Sequence, residues 1–299
     1  MSQILRSTPA TLELLIYQNG DLTDLDALPT LVITDANGSI VTSGAVTKPS
    51  ATTGTYRSVL QGQSDLTTLA AVWSGDLSSN PVSFKRGYEI VGNLLFIEAQ
   101  ARAKTITGQQ TPLSDDTAYP DSDIARMRTL ITDQFEHRTG RAWTRRYSRV
   151  ELVGNGRPVI DLWTGQARDS EGDQVGGPGR YRHIAKIIAA TVDGVAVSVA
   201  DLAIDGRRVI HKTGVWTAGS VADPFNVVVE YEYGPHPVPL EANENGLLMA
   251  LANLVPSDVS AYAQTFAGED GTITFGPNGL AWPTKVWEWL KHSKPVLIA

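Results

Sequence analysis

The chain has 299 residues, of which 42% are hydrophobic and 19% charged, so it can form the cores of about two domains and is not disordered as a whole. It contains no cysteine, which excludes disulfides, iron–sulfur clusters, thiolate zinc sites and cysteine nucleophiles. The net charge of −7 argues against nucleic-acid binding through bulk basic charge, and the sequence shows neither a signal peptide nor an apolar run of about 18 residues, so we expect cytoplasmic synthesis and no membrane partner.

Residues 1–92 are predicted to form an all-β domain, an immunoglobulin-like (Ig-like) β-sandwich. Short apolar runs alternate with turn signals such as Asn19-Gly20, and this spacing is typical of a sandwich. Trp73 and Tyr56 are expected in its core, which must hold the domain without any disulfide. The predicted strands are residues 12–17, 30–34, 40–47, 54–60, 67–74 and 82–91.

Residues 93–299 are predicted to form a second domain, in which helices flank a β-rich insert, so the fold class of the chain is α+β. The strongest helix covers residues 121–139, because apolar residues recur at helical spacing from Ile124 to Phe135 and Gly140 follows. The other helices are predicted at about 93–104, 240–254 and 283–292, and the β-insert at about 142–233.

No pattern in the sequence predicts catalysis, a cofactor or a metal. The five histidines lack zinc-ligand spacing, no G-x-S-x-G sequence occurs, and the glycine-rich stretches lack the GK[ST] of a phosphate-binding loop. Asp169, Glu171 and Asp173 alternate faintly like a calcium loop, but Gln174 stands where glycine is needed. We therefore predict a protein that is not an enzyme and holds no cofactor.

A group of arginines spans the end of the predicted long helix and the following strand. Three interpretations remain open: cations favoured at a helix C-terminus and then on a solvated strand, a subunit interface, where arginine is favoured over lysine, or contacts with DNA phosphates. The candidate interface residues in this group are Arg138, Arg141, Arg145, Arg146 and Arg149.

The C-terminal segment is unusually rich in large apolar side chains. We expect Trp282, Val286 and Leu290 on one side of a short helix, with Trp287 flanking them and Trp289 further round. One short helix cannot bury three indoles against itself, so an interface is expected for at least one of them. The apolar tail that follows is predicted to dock onto a neighbour. The candidate interface residues here are Trp287, Trp289, Pro295, Val296, Leu297 and Ile298.

Two segments resemble the head-to-tail connector proteins (adaptor or head completion proteins) of long-tailed bacteriophages. The segment DSDIARMRTLITDQFEHRTGRAWTRR, residues 121–146, is similar to their first long helix, in which TGR leads directly into a strand. Residues 259–292 are similar to their polar hairpin and terminal helix. The order helix, β-insert, helix, hairpin, helix fits residues 93–299, whereas the β-insert and the Ig-like domain depart from the small all-helical connectors.

This resemblance implies a structural virion protein that acts at the head–tail junction after synthesis in the host cytoplasm. The expected partners are further copies of the chain in a ring of about twelve, the portal protein, stopper or tail proteins, and double-stranded DNA that passes through the lumen without sequence-specific binding. The alternative is another phage virion or tail component in which the Ig-like domain binds a surface. The oligomeric state in the presence of portal discriminates between them.

Overall fold

The computed structural model describes residues 2–50, 52–104, 113–162, 184–220, 225–255 and 281–293, and the backbone of residues 265–268 and 271–275. These residues form strands in several sheets and four α-helices, so the fold is α+β, as predicted. The chain divides into two compact units, residues 1–92 and residues 93–299. They are called unit 1 and unit 2 and are described separately.

The described residues of unit 1 form one five-stranded sheet and two two-stranded ladders. The sheet has the order β1-β9-β8-β5-β6, while β2 pairs with β7 and β3 with β4. The pairs are antiparallel except for β1 and β9, which run parallel. The strands are β1 Ser2–Leu5, β2 Ala10–Leu15, β3 Tyr17–Gln18, β4 Asp21–Leu22, β5 Thr30–Asp35, β6 Ile40–Val41, β7 Thr55–Leu60, β8 Thr67–Leu77 and β9 Asn80–Val91.

The core of unit 1 follows from the period of two along its strands. In β7, for example, Tyr56 and Leu60 are buried while Arg57 between them is exposed. Tyr56 and Trp73 are fully buried, as expected. The buried hydroxyl of Tyr56 accepts the backbone N–H of Leu25 at 2.7 Å, so its polar atom is satisfied inside the apolar core.

The turn between β8 and β9 differs from the prediction. The predicted strands end at residue 74 and begin again at residue 82, but β8 extends to Leu77 and β9 begins at Asn80. The chain turns instead at Ser78 and Ser79, whose φ angles are 51° and 62°. The carboxylate of Asp26 accepts both of their backbone N–H groups, at 3.0 and 2.7 Å, which stabilises a left-handed turn that serine alone rarely forms.

The helices of unit 2 surround one hydrophobic core. They are α1 Glu98–Ala103, α2 Asp121–Thr139, α3 Leu240–Leu254 and α4 Thr284–His292. The core combines Ile124, Ile131 and Phe135 of α2 with apolar side chains of α3, α4 and the segment before α1. Helix α2 ends at Gly140, whose φ of 67° is left-handed and therefore suits glycine.

A second core in unit 2 lies beneath its sheets. Strands β10 Arg146–Leu152, β11 Val159–Asp161, β12 Ile184–Val192, β13 Val195–Ala196, β14 Leu202–Asp205, β15 Arg208–His211 and β16 Val227–Tyr233 follow α2. They form a sheet of order β10-β16-β12-β13 and a second of order β11-β15-β14, whose buried residues make one cluster around Trp216. Near α4, β17 Thr265–Gly268, β18 Gly271–Phe275 and β19 Ala281–Pro283 form a third sheet.

Helix α1 is shorter than the range 93–104 that was predicted. Leu95 and Phe96 are both fully buried, and the side chain of Asn93 donates to the carbonyl of Pro235 at 3.1 Å. The helix that starts at Glu98 is fastened to α2, because the buried Arg128 donates to Glu98 at 2.6 Å. The acids of the faint calcium-like pattern, residues 169–173, lie outside the described residues.

Candidate functional site: tryptophans and arginines where α2 meets α4

Helix α4 packs its apolar stripe on the C-terminal half of α2. Val286 and Leu290 are buried, and Trp289 lies one helical turn from Val286, on the same stripe. Its indole centroid is 5.2 Å from that of Phe135 and 4.9 Å from that of Trp143. Trp289 was predicted to lie further round the helix, but its partly buried ring packs on the same core as Val286 and Leu290, so that prediction is wrong. Trp282, just before the helix, is buried in this core as well, as expected.

The guanidinium of Arg138 lies against two indoles. Its central carbon is 4.4 Å from the ring centroid of Trp282 and 4.9 Å from that of Trp287. Trp282 is only 2% exposed, whereas Trp287 is 38% exposed. Burial lowers the pKa of the Arg138 guanidinium, and the two ring faces offset part of this desolvation through cation–π attraction.

Arg141 makes a similar contact at the other end of the same group. Its side chain is exposed, and its guanidinium carbon lies 4.3 Å from the ring centroid of Trp143. The indole N–H of Trp143 donates to the hydroxyl of Thr139 at 3.0 Å, which fixes the ring at the end of α2. We call Phe135, Arg138, Arg141, Trp143, Trp282, Trp287 and Trp289 the Trp–Arg cluster.

The three remaining arginines of the predicted group form ion pairs within unit 2. Arg145 lies 3.6 Å from Glu232, and Arg149 lies 2.7 Å from Glu151. Arg146 pairs with Glu136 and lies 3.8 Å from Asp133, so it connects β10 to α2. Their side chains are 17–21% exposed, in contrast to the exposed Arg141.

The solvent-facing edge of the Trp–Arg cluster is basic and aromatic. Besides Trp287 and Arg141, it includes Lys285 and Lys291 on the exposed positions of α4, with Glu288 between them. The ammonium of Lys291 lies 5.6 Å from the ring centroid of Trp287. Such a surface can bind carboxylates or phosphates through its cations while its indoles contact apolar groups.

The sequence did not reveal the contributions of Phe135 and Trp143. Both were expected to be ordinary core or strand residues, yet Trp143 lies between Arg141 and Trp289, and Phe135 lies against Trp282 and Trp289. A signal was present, because Trp143 follows closely on the glycine that ends α2 and must lie near its last turn. Pro295, Val296, Leu297 and Ile298 lie outside the described residues.

Metal binding and membrane insertion each require a recognisable structural feature. Among the described side chains, no three His, Cys, Asp or Glu residues are grouped so that they could hold a metal ion. No helix within the described ranges is long and apolar enough to cross a membrane.

Comparisons with known proteins give distant structural similarity but no family. No protein-family model matches the chain, and no curated protein sequence matches it. One solved structure, described as the neck of an empty GTA particle computed with C6 symmetry, contains a chain that is 15% identical. The similarity covers 68% of this chain and 88% of that chain, with a TM-score of 0.36, and at this level we infer neither fold nor function from it.

Proposed function

We propose that the protein is a structural, non-enzymatic virion component: a head-to-tail adaptor that forms a ring between the portal and the stopper or tail proteins. In this proposal about twelve copies assemble, and double-stranded DNA passes through the lumen without sequence-specific contacts. The protein is made in the host cytoplasm and acts at the head–tail junction.

The observation that carries the proposal is the contact between the two segments that resemble connector proteins. The first segment provides α2 and the arginines after it, and the second provides α4. They are more than a hundred residues apart in sequence, yet Arg138 of the first lies against Trp282 and Trp287 of the second. Both resemblances therefore apply to residues that lie together in the fold. This shared location supports the proposal more strongly than either motif alone.

The composition of this place supports an interface. Tryptophan and arginine are enriched in the central parts of protein interfaces and dominate their binding energy. Trp287 exposes more than a third of its surface between the cations Arg138 and Lys291. We propose that Trp287, Arg138 and Arg141 contact a neighbouring protein, and that the apolar tail, residues 295–298, also docks onto a neighbour.

Arg145, Arg146 and Arg149 have a different part in this proposal. Arg146 pairs with Glu136 of α2 and Arg145 with Glu232 of β16, which supports a role in holding the start of β10 against both elements, whereas Arg149 pairs with Glu151 on β10 itself. We therefore propose that Arg145 and Arg146 act on assembly indirectly, by fixing the end of α2 from which Arg138 and Arg141 project.

For unit 1 we propose an Ig-like decoration module. Its alternating strands and its buried Trp73 support this. The alternative function, a virion or tail component whose Ig-like domain binds a surface, requires unit 1 for binding and does not require a ring.

The net charge of −7 per copy is compatible with a DNA channel. A ring of such copies repels the phosphate backbone on average, so DNA can slide without being held. We expect weak binding of the protein to double-stranded DNA at physiological salt.

The test is co-sedimentation of the full chain with portal-containing, tailless heads of the phage that encodes it. Changing Trp287 to Ala should weaken docking about tenfold or more, because an exposed aromatic anchor would be lost, and removing residues 294–299 should also weaken it. Tyr17→Ala is the matched control, since Tyr17 is an exposed aromatic residue of unit 1.

Two outcomes would contradict the proposal. Wild-type chain that fails to sediment with such heads, or to form a ring in their presence, would reject the adaptor function. Loss of docking in Tyr17→Ala with normal docking in Trp287→Ala would instead favour the alternative, in which unit 1 makes the contact.

A further inference from the structure

Helix α2 carries an acidic surface at its N-terminal end. Residues 114–123, here called the acidic segment, contain no lysine or arginine, and their charged residues are Asp115, Asp116, Asp121 and Asp123. Asp116 and its neighbours before the helix are exposed. Arg126 lies 3.5 Å from Asp123, and Arg102 lies 2.6 Å from Asp121. Four carboxylates and two guanidiniums leave a local charge of −2.

The acidic segment is held in a defined shape. Arg102 donates to the carbonyl of Leu113 at 3.0 Å, to the carbonyl of Tyr119 at 3.0 Å and to the carboxylate of Asp121 at 2.6 Å, so one side chain fastens both ends of the segment. The carboxylate of Asp115 accepts two backbone N–H groups within the segment, at 2.9 and 3.1 Å. A segment fixed in this way loses little conformational entropy when it binds.

The opposite end of α2 has the opposite charge. The Trp–Arg cluster and α4 contribute four cations, and two carboxylates lie beside them, Glu288 on α4 and Glu241, which accepts the indole N–H of Trp289 at 3.2 Å. The last turns of α2 add Asp133 and Glu136, which both face Arg146. With these three groups included, the local charge is +1. The four cations are Arg138, Arg141, Lys285 and Lys291.

The two surfaces cannot meet within one molecule. They lie at the two ends of a helix that runs from Asp121 to Thr139, and a rise of about 1.5 Å per residue separates these ends by about 27 Å. An ion pair requires a few ångströms, and both surfaces are fixed to the helix. A contact between them must therefore join two molecules.

We propose that the acidic segment of one copy docks onto the Trp–Arg cluster of a second copy. Charge complementarity selects this occupant, and the exposed face of Trp287 supplies the apolar contact. Because the two surfaces differ, repeating this contact from copy to copy gives a head-to-tail arrangement, which closes into a ring if the rotation between copies permits. The inference rests on the proposed function, in which the copies form a ring.

The test is a charge exchange in the full-length protein. Asp116→Lys with Asp123→Lys makes the acidic segment basic, and Lys285→Glu with Lys291→Glu makes the cluster acidic. Each double variant alone should weaken self-association about tenfold or more, because like charges would face each other. An equimolar mixture of the two double variants should restore association, because each offers the surface that the other lacks. Mass photometry and sedimentation velocity at low and high salt measure the effect.

Charge reversals elsewhere on unit 2 serve as controls, because they show whether the effect is specific to the two proposed surfaces. Asp205→Lys and Arg208→Glu reverse exposed charges on β14 and β15 and should leave association unchanged, and circular dichroism should show native folding for every variant. Self-association that is insensitive to both double variants, or a mixture that fails to restore it, would overturn the docking contact. Charge-sensitive association that stops at two copies, even with portal-containing heads, would support the contact and reject the ring.

Discussion

Two neighbouring tryptophans of α4 have different surroundings. Trp289 is packed between Phe135 and Trp143 and its N–H is bonded to Glu241. Trp287 contacts cations on both sides and exposes 38% of its surface. Stability is therefore expected to depend mainly on the first and association on the second.

Substitution by alanine should separate these two contributions. Trp289→Ala should destabilise unit 2 by about 3–5 kcal/mol, because it leaves a cavity among aromatic rings. Trp287→Ala should cost about 1 kcal/mol, since mainly cation–π contacts and partial burial are lost. Urea denaturation followed by circular dichroism measures both values. Equal losses for the two variants would show that Trp287 is a core residue.

At the scale of elements, the end of β16 depends on a glycine. Gly234 has a φ of 86°, and a Cβ atom placed on it would lie 2.1 Å from the carbonyl oxygen of Thr144. Backbone rather than a flexible side chain fills that space. The chain between α2 and β10 therefore packs directly on the chain that leaves β16.

Gly234→Ala should destabilise unit 2 by about 3 kcal/mol or more, because a left-handed backbone strain is added to a steric clash. Gly206→Ala is the matched control: its φ is also positive, at 60°, but nothing lies within 4 Å of the added Cβ. That change should cost about 1 kcal/mol. The measurement is chemical denaturation, and similar costs for the two variants would mean that the chain near Thr144 yields readily.

The elements that were predicted best are helices with an apolar stripe and with a proline or glycine that marks where the helix begins or ends. Helices α2 and α3 have the bounds read from the sequence, 121–139 and 240–254, because apolar periodicity is bounded by Pro120 and Gly140 in one and begins after Pro239 in the other. The turn at Ser78-Ser79 was missed, because it depends on Asp26, more than fifty residues away. Local patterns cannot contain such long-range partners.

The candidate site shows the same limit. The arginines and tryptophans were recognisable by composition, but their partners were not. Arg145 pairs with Glu232, and Arg138 lies against Trp282. In each case the two residues are too far apart in the sequence for a local motif to contain both. Composition therefore identified the place, while only the fold distinguishes the arginines held in ion pairs from those that stack on indoles.

At the scale of the whole molecule, the division at residue 92 has a thermodynamic consequence. Unit 1 contains its own buried Trp73 and Tyr56, and unit 2 contains two hydrophobic clusters of its own. Each unit is long enough to bury a core independently.

Residues 1–92 and residues 93–299, expressed separately, should each unfold cooperatively. The melting temperature of each fragment should lie within a few degrees of a transition of the full chain, because a change of about 1 kcal/mol shifts the melting temperature of such domains by only several degrees. Differential scanning calorimetry of the three proteins measures this. A fragment without a cooperative transition would show that its core depends on the rest of the chain.

The parallel pairing of β1 with β9 has a mechanical consequence. Ser2 lies opposite Tyr88 and Leu5 opposite Val91, so the first and last strands of unit 1 run side by side in the same direction. A force that pulls these two ends apart makes the strands slide along each other and loads all their hydrogen bonds at once. In an antiparallel terminal hairpin the same force opens the bonds one after another. Unit 1 therefore has the strand arrangement of a module that resists stretching along the chain, since the rate of forced unfolding depends on the barrier that these bonds oppose to the pull.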